Sequence, residues 1–172
     1  MFFPRLSQLY SLTLRRLQVL HHLVNSYFPN SRFAAQSLNI DDQVLAIKHT
    51  DLMDLVFGIC GILPLGDFNP RTSAQLVLEE PRLIIELRPG DIFFFPSATI
   101  HHYSIPMVSQ DETRQSMIFY SAGGLFRWVK QGFQTQTNMS PEEKAACESL
   151  EAGAKRWENA WKLFSNISEF ET

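Results

Sequence analysis

A mainly β fold with helices before and after it, its strands numerous enough for a two-sheet jelly roll, is the fold class this sequence predicts. Residues 43–122 break into short β-prone runs at close spacing, divided by turn residues. No long helical period interrupts them, and helical periodicity is confined to the two ends. With 172 residues, 45% of them hydrophobic and 14 of them Phe, the chain has one domain's length and material for a sizeable core.

The elements follow in order. Leu6, Leu9, Leu12, Leu17, Leu20, Val24 and Tyr27 recur at three-to-four spacing, which predicts an amphipathic helix over 5–28, ended by Pro29-Asn30. His21-His22 fall within it with no nearby carboxylate or Cys to complete a ligand set, and are expected on its surface. Strands are predicted near 43–51, 55–63, 74–79, 82–87, 91–96, 101–107 and 113–121, with a weaker eighth around 32–39. The breaks between them are rich in Gly, Pro, Asn, Asp and Ser, as in Gly66-Asp67-Phe68-Asn69-Pro70 and Pro89-Gly90-Asp91. Eight strands in two sheets is the jelly-roll count. At the C-terminal end, Ser140 is a helix N-cap, Pro141 suits the first helical position and Glu143 completes a capping box. Ala146, Leu150, Ala154, Trp157, Trp161 and Phe164 then mark one apolar face. The organisation expected is an N-terminal helix (1–30), a β core (31–139) and a C-terminal helix (140–172) packed on that core, one domain overall.

The net charge is −3, and residues 140–172 supply all of it, because 1–139 balance. No broad basic face therefore argues for nucleic acid. Cys60 and Cys147 lie far apart and form neither a disulfide framework nor a metal motif. No run reaches the roughly 18 uncharged apolar residues of a membrane span, and Arg5, Arg15 and Arg16 interrupt the N-terminal stretch. The expectation is an intracellular protein away from membranes.

Three strands carry the chemistry. In the predicted strand 43–51, Leu45, Ile47, His49 and Asp51 share one parity, so imidazole and carboxylate are expected on the inward face with the apolar residues. Burying both is costly unless something binds them. A divalent cation satisfies the two together. Fifty residues after Asp51 comes the pair His101-His102, at the start of another strand. Further on, Arg114 and Ser116 share a strand face that continues into Ile118 and Tyr120; an Arg beside a hydroxyl suits a carboxylate. Two His and one carboxylate leave three positions on a metal open, the arrangement of non-haem Fe(II) oxygenases.

This H-x-D on a strand, distal His and R-x-S resemble the signature of the Fe(II)/2-oxoglutarate-dependent dioxygenases, whose fold is a double-stranded β-helix, a jelly roll. The resemblance implies Fe(II) on His49, Asp51 and one of the vicinal histidines. It also implies 2-oxoglutarate with its far carboxylate on Arg114 and Ser116, and dioxygen at the remaining position. The family's distal His lies four before a Pro, which selects His102 ahead of Pro106. A cupin-like spacing from Gly90 and Pro96 selects His101 instead. We take His102, with His101 the alternative.

A narrower resemblance covers about 58–135. Gly66-Asp67-Phe68-Asn69-Pro70, Pro89-Gly90-Asp91, Glu112-Thr113-Arg114-Gln115-Ser116 and Ser121-Ala122-Gly123-Gly124-Leu125-Phe126-Arg127-Trp128-Val129 resemble fungal TET/JBP-like oxygenases. It implies hydroxylation of a methyl of 5-methylcytosine or thymine, DNA or RNA as partner, and the nucleus as a compartment. Tyr103, Phe126 and Trp128 are then candidates to stack on a base, and Lys48, Arg71, Arg127 and Lys130 to meet phosphates. The segment Leu52-Met53-Asp54-Leu55 departs from the family pattern. Two other classes stay in view: a degenerate double-stranded β-helix acting as a binding module, and a cupin-type metalloenzyme without cosubstrate.

Overall fold

The computed structural model describes residues 3–20, 28 and 30–170. The predicted helical residues 21–27, with His21-His22, lie outside that set. The described elements are α1 (Pro4–Leu20), β1 (Ala35–Asn39), β2 (Cys60–Asp67), β3 (Leu76–Leu78), β4 (Leu83–Ile85), β5 (Phe93–Phe95), β6 (His102–Ser104), β7 (Thr113–Tyr120), α2 (Gly123–Lys130), α3 (Pro141–Glu148) and α4 (Leu150–Trp161). They fall into two compact units, residues 33–123 and residues 1–32 with 124–172.

The first unit is a pair of antiparallel sheets, the jelly-roll class expected. One has strand order β1-β7-β2-β5 and the other β4-β3-β6. Alternation decides which side chains meet. On β3, Leu76 and Leu78 are buried while Val77 between them is half-buried. On β6, His102 and Ser104 are buried and Tyr103 is less so. Leu76 and Leu78 pack with Cys60, Ile62 and Phe95 of the other sheet and with Leu87 into one apolar cluster. Each fully buried large aliphatic or Phe side chain there contributes about 1.5–3 kcal/mol.

The predicted strand 43–51 is not a strand. It is a segment that crosses from one sheet to the other, touching each by isolated bridges, Gln43 to Arg114 and His49 to His102. The Ser104 N–H donates to the Ala46 carbonyl at 3.0 Å, while His49 and His102 exchange both backbone bonds at 3.1 and 2.9 Å. Three steps on this segment thus face two on β6, so one residue bulges out and the alternation breaks. That corrects the expected inward face: Ile47 is 77% exposed and Leu45 49% exposed. The strand predicted over 55–63 also begins later, because a turn closes between Leu55 and Gly58 at 2.7 Å.

Opposite Arg114, β2 bends at Gly66, whose φ is +108°. A Cβ there would stand 2.3 Å from the Thr113 carbonyl oxygen. Gly66→Ala is therefore expected to destabilise the fold by more than the ~1 kcal/mol typical of point mutants, through both strain and clash. A lowered urea midpoint with an unchanged slope would register it.

The second unit is helical. Leu6, Tyr10, Thr13 and Leu17 form the buried stripe of α1, and Tyr10 stacks at a tilt on Phe126 of α2, centroids 5.2 Å apart. Arg5 ties α1 to the C-terminal end, donating to the Phe164 carbonyl at 2.6 Å and to both Glu169 oxygens. That pairing draws the Glu169 carboxyl down to about 2. The Ser140 capping box forms as expected. The single C-terminal helix does not, because Ser149 leaves the helical region (φ −59°, ψ 149°) and its hydroxyl accepts from the Ala152 N–H at 3.2 Å, starting α4 afresh. The predicted apolar face is corrected too: Leu150, Trp157 and Trp161 are exposed, while Ala160 is buried. α2 went unforeseen, since its opening Gly123-Gly124 reads equally as a turn.

Candidate metal centre

The crossing segment brings three donors together. His49 Nε2 lies 3.5 Å from Asp51 Oδ1, and His102 Nε2 lies 3.9 Å from Asp51 Oδ2. One ligating atom from each of the three lies within 4.8 Å of the other two. The two imidazole centroids are 4.2 Å apart. No other group of three or more potential ligands gathers this way among the described residues.

Both rings are set in the tautomer that a metal needs. His49 Nδ1 bonds the Ile47 carbonyl at 2.7 Å and His102 Nδ1 bonds the Ile100 carbonyl at 2.9 Å. A carbonyl only accepts, so each Nδ1 carries a proton and each Nε2, on the side of Asp51, is the atom left to bind a metal. Burial, opposed by the Ile100 carbonyl, lowers the His102 pKa, which favours the neutral ligating form. The Asp51 backbone is fixed as well, its N–H donating to the Ser97 carbonyl at 3.0 Å. Three side-chain donors in this arrangement can hold one divalent cation with positions to spare.

Three residues after Asp51 comes Asp54, which takes a bond of 3.3 Å from the buried Ser97 hydroxyl. Burial, with the Asp51 charge adding to it, pushes Asp54 up to about 6. A carboxyl whose folded pKa is raised binds a proton that the unfolded chain has already lost. Its effect on stability is therefore most favourable below the ordinary 3.8 and fades as pH rises through about 6. In chelator-treated protein, Asp54→Asn is expected to flatten this part of the stability profile. Denaturation midpoints of parent and variant, compared across that window, test it; parallel profiles would overturn it.

The same segment's other end holds the second feature. Arg114 is 3% exposed. It spends Nη1 on the Val44 carbonyl at 2.8 Å, and its buried Nε has no partner. No carboxylate pairs with it among the described residues, and burial alone lowers its pKa. Ser116, buried on the same face of β7, accepts from Asn39 Nδ2 at 3.1 Å, which leaves its own proton to donate. A buried guanidinium without a counter-anion is costly, and a bound carboxylate relieves that cost.

One cavity of about 220 Å³ between the two sheets is lined by all three clustered donors and by Arg114, Ser116 and Asn39. It lies below the roughly 300–1,000 Å³ of drug-sized pockets, a volume that suits a small organic acid. The wider groove of the helical unit, about 660 Å³ beside Trp157 and Trp161, gathers no comparable donors.

The remaining candidates lie elsewhere. His101 is exposed and engaged by Glu80, its Nδ1 2.6 Å from Oε1. Tyr103 alternates to the face of β6 opposite His102. Lys48 is ion-paired with Glu79. Arg127, Lys130, Phe126 and Trp128 belong to the helical unit, where Trp128 meets Phe133 edge-on at 5.0 Å. Asn39, Asp54 and Ser97 escaped the sequence reading; lone polar residues at a strand end or turn carry no periodic signal.

No family model matches this sequence, and no curated protein does. Among solved structures, the chain is similar to NgTET1 in complex with 5mC DNA, at 20% identity and a TM-score of 0.49, over 64% of this chain and 42% of that one. It is also similar to a protein of unknown function with a cupin-like fold from Ralstonia eutropha, at 14% identity and a TM-score of 0.27, over 56% of this chain and 63% of that one. The chain thus spans less than two thirds of the length of either. What the fold and cluster define on their own is a two-sheet antiparallel β protein with a candidate His-Asp-His metal centre.

Proposed function

We propose that this chain is an Fe(II)- and 2-oxoglutarate-dependent dioxygenase. The observation that carries the reading is the joint presence, in one cavity, of a His-His-carboxylate donor set and a buried guanidinium with an unspent N–H. His49, Asp51 and His102 are the residues that would hold the iron. Arg114 and Ser116 take the far carboxylate of 2-oxoglutarate, since a charged fork plus a hydroxyl suits a carboxylate. Iron with 2-oxoglutarate and dioxygen supplies an oxidant for C–H bonds, with succinate and carbon dioxide as co-products.

The protein's own share is placement. The Ile47 and Ile100 carbonyls keep both Nδ1 atoms protonated, and the Ser97 carbonyl fixes the backbone of Asp51. Cys60, Ile62, Phe95 and Ile118 line the cavity with apolar surface that limits water. The narrower reading, oxidation of a methyl on 5-methylcytosine or thymine in DNA or RNA, rests on the sequence resemblance.

Incubation of the protein with Fe(II), ascorbate and 2-oxoglutarate, with succinate read by mass spectrometry, tests the class. Succinate that requires both iron and His49 is expected; absence of succinate together with absence of Mn(II) binding would leave only a binding module. Methylated DNA in the same incubation tests the narrower form through 5-hydroxymethylcytosine.

A further inference from the structure

Resting on the oxygenase reading, we propose that the substrate side of the site takes an uncharged, apolar organic molecule, and not a nucleic acid. Two independent observations lead there. Apolar side chains stand in water on both sides of the ligand pair: Ile47 two residues before His49, and Leu52 and Met53 directly after Asp51, each at least 77% exposed. They are held in place. The Asp54 N–H donates to the Asp51 carbonyl and the Gly123 N–H to the Met53 carbonyl, both at 2.9 Å. Leu45 links this rim to the interior, since it lines the cavity and is also half exposed. Singly scattered apolar residues are ordinary on a surface. Four within nine residues flank the two candidate ligands in sequence, and one of them, Leu45, also lines the cavity; such a concentration of exposed apolar side chains next to a site suits an apolar ligand.

Charge supplies the second observation. Residues 33–123 hold five Lys or Arg against eleven Asp or Glu, a balance of −6. The chain-wide figure hides this because the cations concentrate outside the β unit. Lys48 is taken by Glu79, Arg88 by Asp91, and Arg114 is buried. Only Arg71 and Arg82 remain as exposed cations without an ion pair among the described residues of this unit. Nucleic-acid binding draws its affinity from neutralising phosphates. This unit repels them, whereas an uncharged apolar molecule gains by covering the rim and loses nothing to the field.

The experiment uses the full chain labelled with 13C-methyl methionine, first in chelator and then with Zn(II) and 2-oxoglutarate. The probes are 1-decanol, its anionic counterpart decanoate, and a DNA duplex containing 5-methylcytosine. Saturable movement of the Met53 methyl is expected with 1-decanol, about tenfold weaker with decanoate, and none with the duplex. The double variant Ile47→Ser, Leu52→Ser, checked for folding by circular dichroism, is expected to weaken 1-decanol at least about tenfold. A Met53 response to the duplex, or parental decanol affinity in the variant, would overturn the proposal. Failure of the oxygenase reading shows separately, as lost Mn(II) binding and no succinate, because the Met53 response in chelator needs no metal.

Discussion

Exchange of His49 or Asp51 for alanine is expected to abolish turnover and to weaken Mn(II) binding by more than about 100-fold. Loss of outer-shell partners alone costs roughly 10–100-fold in metal affinity, and these changes remove a donor outright. Asp51→Asn is the sharper version, since it keeps shape and removes the anion that bridges toward both imidazoles at 3.5 and 3.9 Å. His101→Ala serves as the counterpart: its ring is exposed and engaged by Glu80, so metal affinity should hold. Calorimetry with Mn(II) reads all four variants against the parent. An Asp51→Asn variant that binds as well as the parent would remove the metal centre from consideration.

Arg114→Met separates a cosubstrate site from a plain metal site. Truncating one member of a buried charge pair costs about 2–5 kcal/mol, so the KM for 2-oxoglutarate is expected to rise by at least roughly thirtyfold. Mn(II) affinity without 2-oxoglutarate should stay put. The ligand-free protein is expected to gain stability, because a buried guanidinium with an unpartnered Nε gives way to an apolar chain of similar length. Metal-dependent activity indifferent to Arg114 would favour a cupin-type enzyme without cosubstrate.

How much of this was legible in the linear chain differs from element to element. β3, β4, β5, β6 and β7 each lie within their predicted runs, because period-two alternation and Gly/Pro punctuation are local signals. The Ser140 capping box is local too, and it forms. Arg114 and Ser116 share a buried face of β7 as their spacing requires. The 43–51 segment is the instructive departure. Its parity predicts an inward Ile47 only if the strand is unbroken; a bulged residue turns Ile47 outward while His49 and Asp51 still converge. That convergence comes from backbone pairing with β6, a contact partner more than fifty residues away.

The amino-acid order by itself determined the residue types of the centre, the strand parity of Arg114 with Ser116, and the two-sheet class, since each depends on neighbours a few positions apart. The tertiary structure turned His102, the residue its spacing to Pro106 favours, toward His49 and Asp51 and left His101 outside with Glu80, because only the pairing of that strand says which way is in. It also left Arg114 without a carboxylate partner among the described residues, and it set the bounds of the unit whose charges sum to −6. Charge and burial are properties of surfaces, and the fold makes the surfaces.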